Sequence, residues 1–122
     1  VGEARPLRGI VAATDFSPAS RAALDAAAAL FPALPATLLH AVDGPLGGLP
    51  GTAERVRRLE REAFARFLAE PPMAEERRRR CRTAVARGPA GEAIRAHLRG
   101  HPDDLVALGS HGRGALFERV LG

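Results

Sequence analysis

Gly109, Ser110, His111, Gly112, Arg113 and Gly114 form the stretch best suited to holding an anion. It follows the apolar run Asp104-Leu105-Val106-Ala107-Leu108 and precedes Ala115 to Leu121, which can begin a helix. In a strand–turn–helix arrangement, glycines reach positive φ and let a ligand approach the backbone without meeting a Cβ. The helix start adds N–H donors and a partial positive charge. Gly122 lies ten positions after Gly112, so the pattern is G-x-x-G-(nine residues)-G. Two acidic positions follow other apolar runs: Asp15 after Ala13-Thr14, and Asp43 after Val42. A carboxylate at Asp15 can accept hydrogen bonds from ribose hydroxyls or a base. Main-chain groups around Val42 can pair with a flat heterocycle. Each signal has a plainer rival. The glycines can simply make a tight turn, and Asp15 can simply cap the loop ahead of Phe16-Ser17-Pro18.

Other chemistries lack their residues. All 18 basic side chains are Arg. Without Lys there is neither a Walker-type phosphate loop nor a Schiff base. Four scattered histidines and the single Cys81 show no metal-ligand spacing, so no metal site is expected. Ser17, Ser20 and Ser110 lack the G-x-S-x-G setting of a nucleophile elbow. Cys81 reads as a small, partly buried side chain, His40 as a satisfied core or rim histidine, and His97 and His101 as surface residues near a helix end. His111 sits among possible phosphate donors, but no catalytic residue is assigned.

The elements must bring these pieces together. Arg8 to Asp15 reads as a buried strand ending in polar residues. Ser17-Pro18 starts a helix, with Ser as N-cap and Pro in the first turn. Ala23, Leu24, Ala27 and Leu30 or Phe31 would share its buried face, and Pro32 and Pro35 end it. Thr37 to Asp43 reads as a second strand and Gly44 to Gly51 as a loop. A helix opens near Thr52, with Val56, Leu59, Ala63, Phe67 and Leu68 at helical spacing. Pro71 to Arg80 reads as a solvated link, Arg82 to Arg87 as a half-exposed strand, Pro89 to Gly100 as a short helix, and Asp104 to Leu108 as a fourth strand. Strands alternating with helices predict one domain over 1–122, an α/β doubly wound parallel sheet of Rossmann-like type. Its ligands belong beyond the carboxyl ends of the strands.

Charge points away from nucleic acid despite a net +4. Arg55, Arg57, Arg58, Arg61 and Arg66 alternate with Glu54, Glu60 and Glu62, as on a solvated helix face, and no aromatic residues interleave with them to stack bases. No apolar run approaches the ~20 residues of a membrane helix. One cysteine fits a reducing, cytoplasmic setting.

The chain resembles the universal stress protein family. The resemblance is carried by Ile10-Val11-Ala12-Ala13-Thr14-Asp15-Phe16-Ser17, by Leu38 to Asp43, by Arg87 to Ile94, and most specifically by Asp104 to Gly114. It implies an adenine nucleotide alpha hydrolase-like fold with five parallel strands, frequent homodimers and, in one branch, binding of ATP with or without Mg. That branch carries the glycine spacing that Gly109, Gly112 and Gly122 satisfy. Carried over by position, Ala13, Thr14, Asp15 and Val42 would face the adenosine. Gly109, His111, Gly112 and Gly122 would face the ribose and phosphates. The sequence ends at Gly122, where the branch continues with Ser or Thr, so a fifth strand is expected to be missing. The expectation is a regulatory nucleotide binder. The alternatives are a protein-interaction module of the same fold and a very slow ATPase.

Overall fold

The structure is a computed structural model and describes residues 5–42, 52–70 and 73–109. Four strands form one parallel sheet: β1 (Gly9–Ala13), β2 (Ala36–Val42), β3 (Cys81–Arg87) and β4 (Asp104–Ala107), in the order β3-β2-β1-β4. Between them run α1 (Pro18–Leu30), α2 (Thr52–Ala69), α3 (Glu75–Arg79) and α4 (Ala90–Gly100). Every residue of β1 is buried. A strand covered on both faces needs an unbroken apolar run, and Gly9-Ile-Val-Ala-Ala13 supplies it.

The two faces carry separate cores. On one, Ile10, Ala12 and Leu38 meet Leu24 and Ala27 of α1 and Phe64, Phe67 and Leu68 of α2. On the other, Val11, Ala13 and Leu39 meet Ala93 and Ile94 of α4. Helices on both faces make the sheet doubly wound, as the alternation of elements predicts. The chain crosses from β3 at one edge to β4 on the far side of β1. The topological switch therefore lies between β1 and β4.

Three local readings change. The Pro71–Arg80 link contains the short helix α3, held by Glu75 with Arg78 (3.3 Å) and Glu76 with Arg80 (2.9 Å). Leu30 and Phe31 are exposed, and α1 instead buries Ser20 and Arg21 beside Leu24, Ala27 and Ala28. Along α2, Leu59 is exposed while Glu60 and Phe64 are buried. Phe67 and Leu68 are buried as expected, but the preceding part of the helix is turned by about one residue from the Val56-Leu59-Ala63 stripe, roughly 100° of rotation. The turn brings Phe64 and Phe67 against Phe16, at centroid separations of 5.1 and 5.9 Å.

Arg21 explains its own burial. Its Nη1 donates to Phe67 O and its Nη2 to Glu70 O, both at 2.6 Å, and its Nε pairs with Asp25 at 3.1 Å. One planar fork thus ties the last turn of α2 to α1. Asp43, the Gly44–Gly51 loop, Ser110 and everything after it, including the expected last helix and the question of a fifth strand, lie outside the described residues.

Candidate functional site

The carboxyl ends of β1, β2 and β4 converge at one rim. Parallel register sets their heights. Ala12 pairs with Ala107, which brings Gly109 level with Thr14. Ala13 pairs with Leu39, so Val42 stands three residues beyond the end of β1. Gly109 is buried and pressed against the first turn of α1. A Cβ there would lie 2.7 Å from Ala19 C and 2.8 Å from Ser20 N, closer than real Cβ atoms come to backbone. Only glycine lets the end of β4 meet α1 this closely.

The β1–α1 turn is held by a chain of hydroxyls. Ser20 Oγ donates to Ser17 O at 2.8 Å. Its single proton is then used, so Thr14 Oγ1 donates to Ser20 Oγ at 2.9 Å. Phe16 N–H donates to Thr14 Oγ1 at 2.9 Å, and Ser20 N–H donates to Ser17 Oγ at 3.2 Å, the N-cap bond expected of Ser17. Asp15 Oδ1 accepts from Ser17 N–H at 3.0 Å, so the capping role weighed for Asp15 is present. Phe16 has φ 64°, a left-handed conformation that non-glycine residues seldom adopt.

Thr14 is bound to β2 on both sides of its main chain. Its N–H donates to Leu39 O at 2.9 Å. Its carbonyl accepts from His40 Nδ1, also at 2.9 Å. A carbonyl cannot donate, so Nδ1 carries the proton and the tautomer of His40 is set. This is the satisfied rim histidine that the sequence suggests. The Phe16 ring lies 4.5 Å from the His40 ring and T-shaped to Phe64. Val42 O accepts from Gly88 N–H at 2.8 Å, and Gly88 adopts φ 110° to turn the chain off β3.

Ala13, Thr14, Asp15, Val42 and Gly109 are thus brought to one rim. Ala13 and Thr14 are buried there and form its floor, with the Thr14 hydroxyl spent inside the protein. His111, Gly112 and Gly122 lie outside the described residues. Sequence reasoning missed Phe16, Ser20 and Glu60. The Ser17-x-x-Ser20 spacing at a helix start is a signal for Ser20; nothing local marks Phe16 or Glu60.

Elsewhere the histidine reading changes in part. His101 is exposed, but His97 is largely covered and its Nε2 pairs with Asp104 Oδ2 at 3.0 Å. Burial raises the pKa of the Cys81 thiol, with nearby Arg77 and Arg21 opposing and Asp25 adding to the rise. Among the described residues there is no cluster of three or more metal-ligating side chains, and no helix is long and apolar enough to cross a membrane.

The molecule has clear structural relatives. Universal stress protein UspA from Lactobacillus plantarum superposes with TM-score 0.63 at 18% identity, covering 97% of this chain and 92% of that one. The hypothetical protein MJ0577 gives TM-score 0.68 at 22% identity, over 93% of this chain and 88% of that one. A universal stress protein family member from Burkholderia pseudomallei gives 0.55 at 23% identity, over 92% and 86%. At these identities the likeness establishes the fold. No curated protein matches the sequence. The sequence model of the Universal stress protein family matches residues 6–122. With that match spanning nearly the whole doubly wound domain, the chain belongs to the universal stress protein family.

Proposed function

We propose that the rim at the ends of β1, β2 and β4 binds ATP or a related adenine nucleotide, with Mg where phosphates need it. In this reading the protein regulates a stress response and is not a turnover catalyst. One observation supports it above the others: Gly109 and Thr14 sit level with each other at the switch between β1 and β4, where doubly wound sheets take their ligands. Asp15 and the strand end at Val42 flank that point. The glycine spacing through Gly112 and Gly122 would supply main-chain donors for phosphates. Phosphates would fix the 109–122 backbone and so alter the surface offered to a partner, a second copy of the chain included. A reducing, cytoplasmic setting suits this role and the single cysteine.

Calorimetric titration of the whole chain with Mg-ATP tests the reading. Wild type should release heat at a single site, and Gly112→Val should abolish that heat while leaving the circular dichroism spectrum unchanged. Wild type without heat, and without ATP-dependent protection of 109–122 from hydrogen exchange, removes the proposal. One observation favours the interaction-module alternative. The Gly109 contact with Ala19 accounts for that glycine by packing alone. Gly109 substitutions harm stability under either reading, so the alternative is marked by ATP binding to neither the wild type nor the Gly112→Val variant.

A further inference from the structure

The carboxylate of Glu60 is buried between α2 and β3, and neither oxygen has a hydrogen-bond partner among the described residues. The residue is only 9% exposed. Buried polar groups are paired as a rule, and an ionised carboxylate without donors carries a large desolvation cost. Such a group in a native fold calls for an explanation.

Glu60 lines a groove of about 320 Å³. Phe64 and the β3 residues Thr83, Ala84 and Val85 share the lining, and Arg57, Arg61 and Arg87 stand around it. Val85 is 41% exposed and the three arginines are exposed. Among the described residues no hydrogen bond or ion pair engages those three guanidinium groups, whereas Arg21, Arg78 and Arg80 all have carboxylate partners. The groove therefore offers three different surfaces. At its base is an anion lacking donors, on its wall are an aromatic and a branched aliphatic side chain, and around it are unengaged cations.

We infer that the α2–β3 groove, with Glu60 at its base, is a second ligand site for a small zwitterion with an apolar body, of the α-amino-acid class. The ammonium of such a ligand gives Glu60 the N–H donors it lacks. Its carboxylate meets the arginines, which favour planar oxyanions. Its side chain covers Phe64 and Val85. Size agrees, because ligand pockets run from about 300 to 1,000 Å³ and this one is at the small end. A polyamine would satisfy Glu60 but be repelled by Arg57, Arg61 and Arg87. A simple anion would suit the arginines and be repelled by Glu60. The groove adjoins the Val42 end of the rim, since Arg87 pairs with Val42 between β2 and β3. Its test therefore uses protein free of ATP and reads the groove amides, so that it can fail or succeed separately from the ATP titration.

A matched set of probes tests each end of the ligand. L-Leucine carries both charged groups, 4-methylpentanoate lacks the ammonium, and 3-methylbutylamine lacks the carboxylate. Each is titrated into the whole chain while amide NMR shifts are followed. L-Leucine should shift the amides of Glu60, Phe64, Thr83 and Val85, and each truncated probe should bind at least ~10-fold more weakly, the size expected for losing one charge-assisted contact. Glu60→Gln should erase the preference for L-leucine over 4-methylpentanoate. Arg87→Glu, on an exposed strand position, should erase the preference over 3-methylbutylamine, so the idea stays testable if one variant misfolds. Absence of L-leucine shifts in the groove, equal binding of all three probes, or an unchanged preference in both variants would overturn the assignment.

Discussion

The β1–α1 turn and the α2–β3 groove treat polar groups in opposite ways. At the turn, Thr14, Ser17, Ser20 and Arg21 are all buried, and each is hydrogen-bonded inside the protein. In the groove a buried carboxylate has no donor among the described residues, and no described partner engages the arginines around it. The difference teaches where polar residues hold the fold together and where they are kept for something else. Satisfied networks fix geometry; an unsatisfied group leaves free energy available to a ligand.

The comparison breaks most severely at Arg21. Arg21→Ala removes the donor to Phe67 O, leaves Glu70 O with only the 3.5 Å bond from Met73 N–H, breaks the pair with Asp25, and should cost about 3 kcal/mol, read as a lowered urea midpoint. Gly109→Ala forces a Cβ onto the α1 backbone, and about 2 kcal/mol of overpacking cost is expected in the same measurement. Thr14→Val keeps the shape but leaves Phe16 N–H without its acceptor, for a loss of about 1 kcal/mol. The groove should respond with the opposite sign. Glu60→Met removes a buried unpaired carboxylate and should raise the thermal midpoint by the equivalent of about 1 kcal/mol. A destabilised Glu60→Met would place Glu60 with the satisfied residues and erase the contrast.

Cys81 sharpens the boundary between the regions without a large energy. It opens β3 yet packs against the α1–α2 core. Burial lifts its thiol above the ordinary 9.0, so the neutral form is favoured. Any stability this gives is complete below the ordinary pKa and is lost as pH rises through the higher folded value. At pH 8 iodoacetamide should therefore modify Cys81 more slowly in folded than in urea-unfolded protein.

The sequence discloses the sheet more readily than the rim. Ile10 to Ala13 and Leu38-Leu39 are apolar without a break, and Ser17-Pro18 marks a helix start by local chemistry alone, so β1, β2 and α1 stand out. The helix α3 does not, because its support comes from Glu–Arg pairs at three and four residues and no apolar stripe exists for periodicity to detect. Phe67 and Leu68 are buried as the spacing predicts, but the earlier part of the α2 face is misread for another reason. Val56, Leu59 and Ala63 make the better stripe, but contacts with Phe16, distant in sequence, select Phe64. The positions of Asp15 and Val42 at the rim are legible because Asp15 follows β1 by two residues and Val42 ends β2. Glu60 is not, because within Arg-Arg-Leu-Glu-Arg-Glu it looks like any exposed charge.

Position 16 faces a conflict that few amino acids can resolve. Its left-handed backbone suits glycine, but its ring sits among His40, Phe64 and Phe67. Glycine would relax the main chain and vacate the aromatic cluster; a β-branched side chain would worsen the strain and still not fill the space. Local conformation and long-range packing thus veto opposite sets of replacements. The junction between β1 and α1 is consequently a point where the chain has little room to drift in sequence, even though the residue is neither acid, base nor nucleophile.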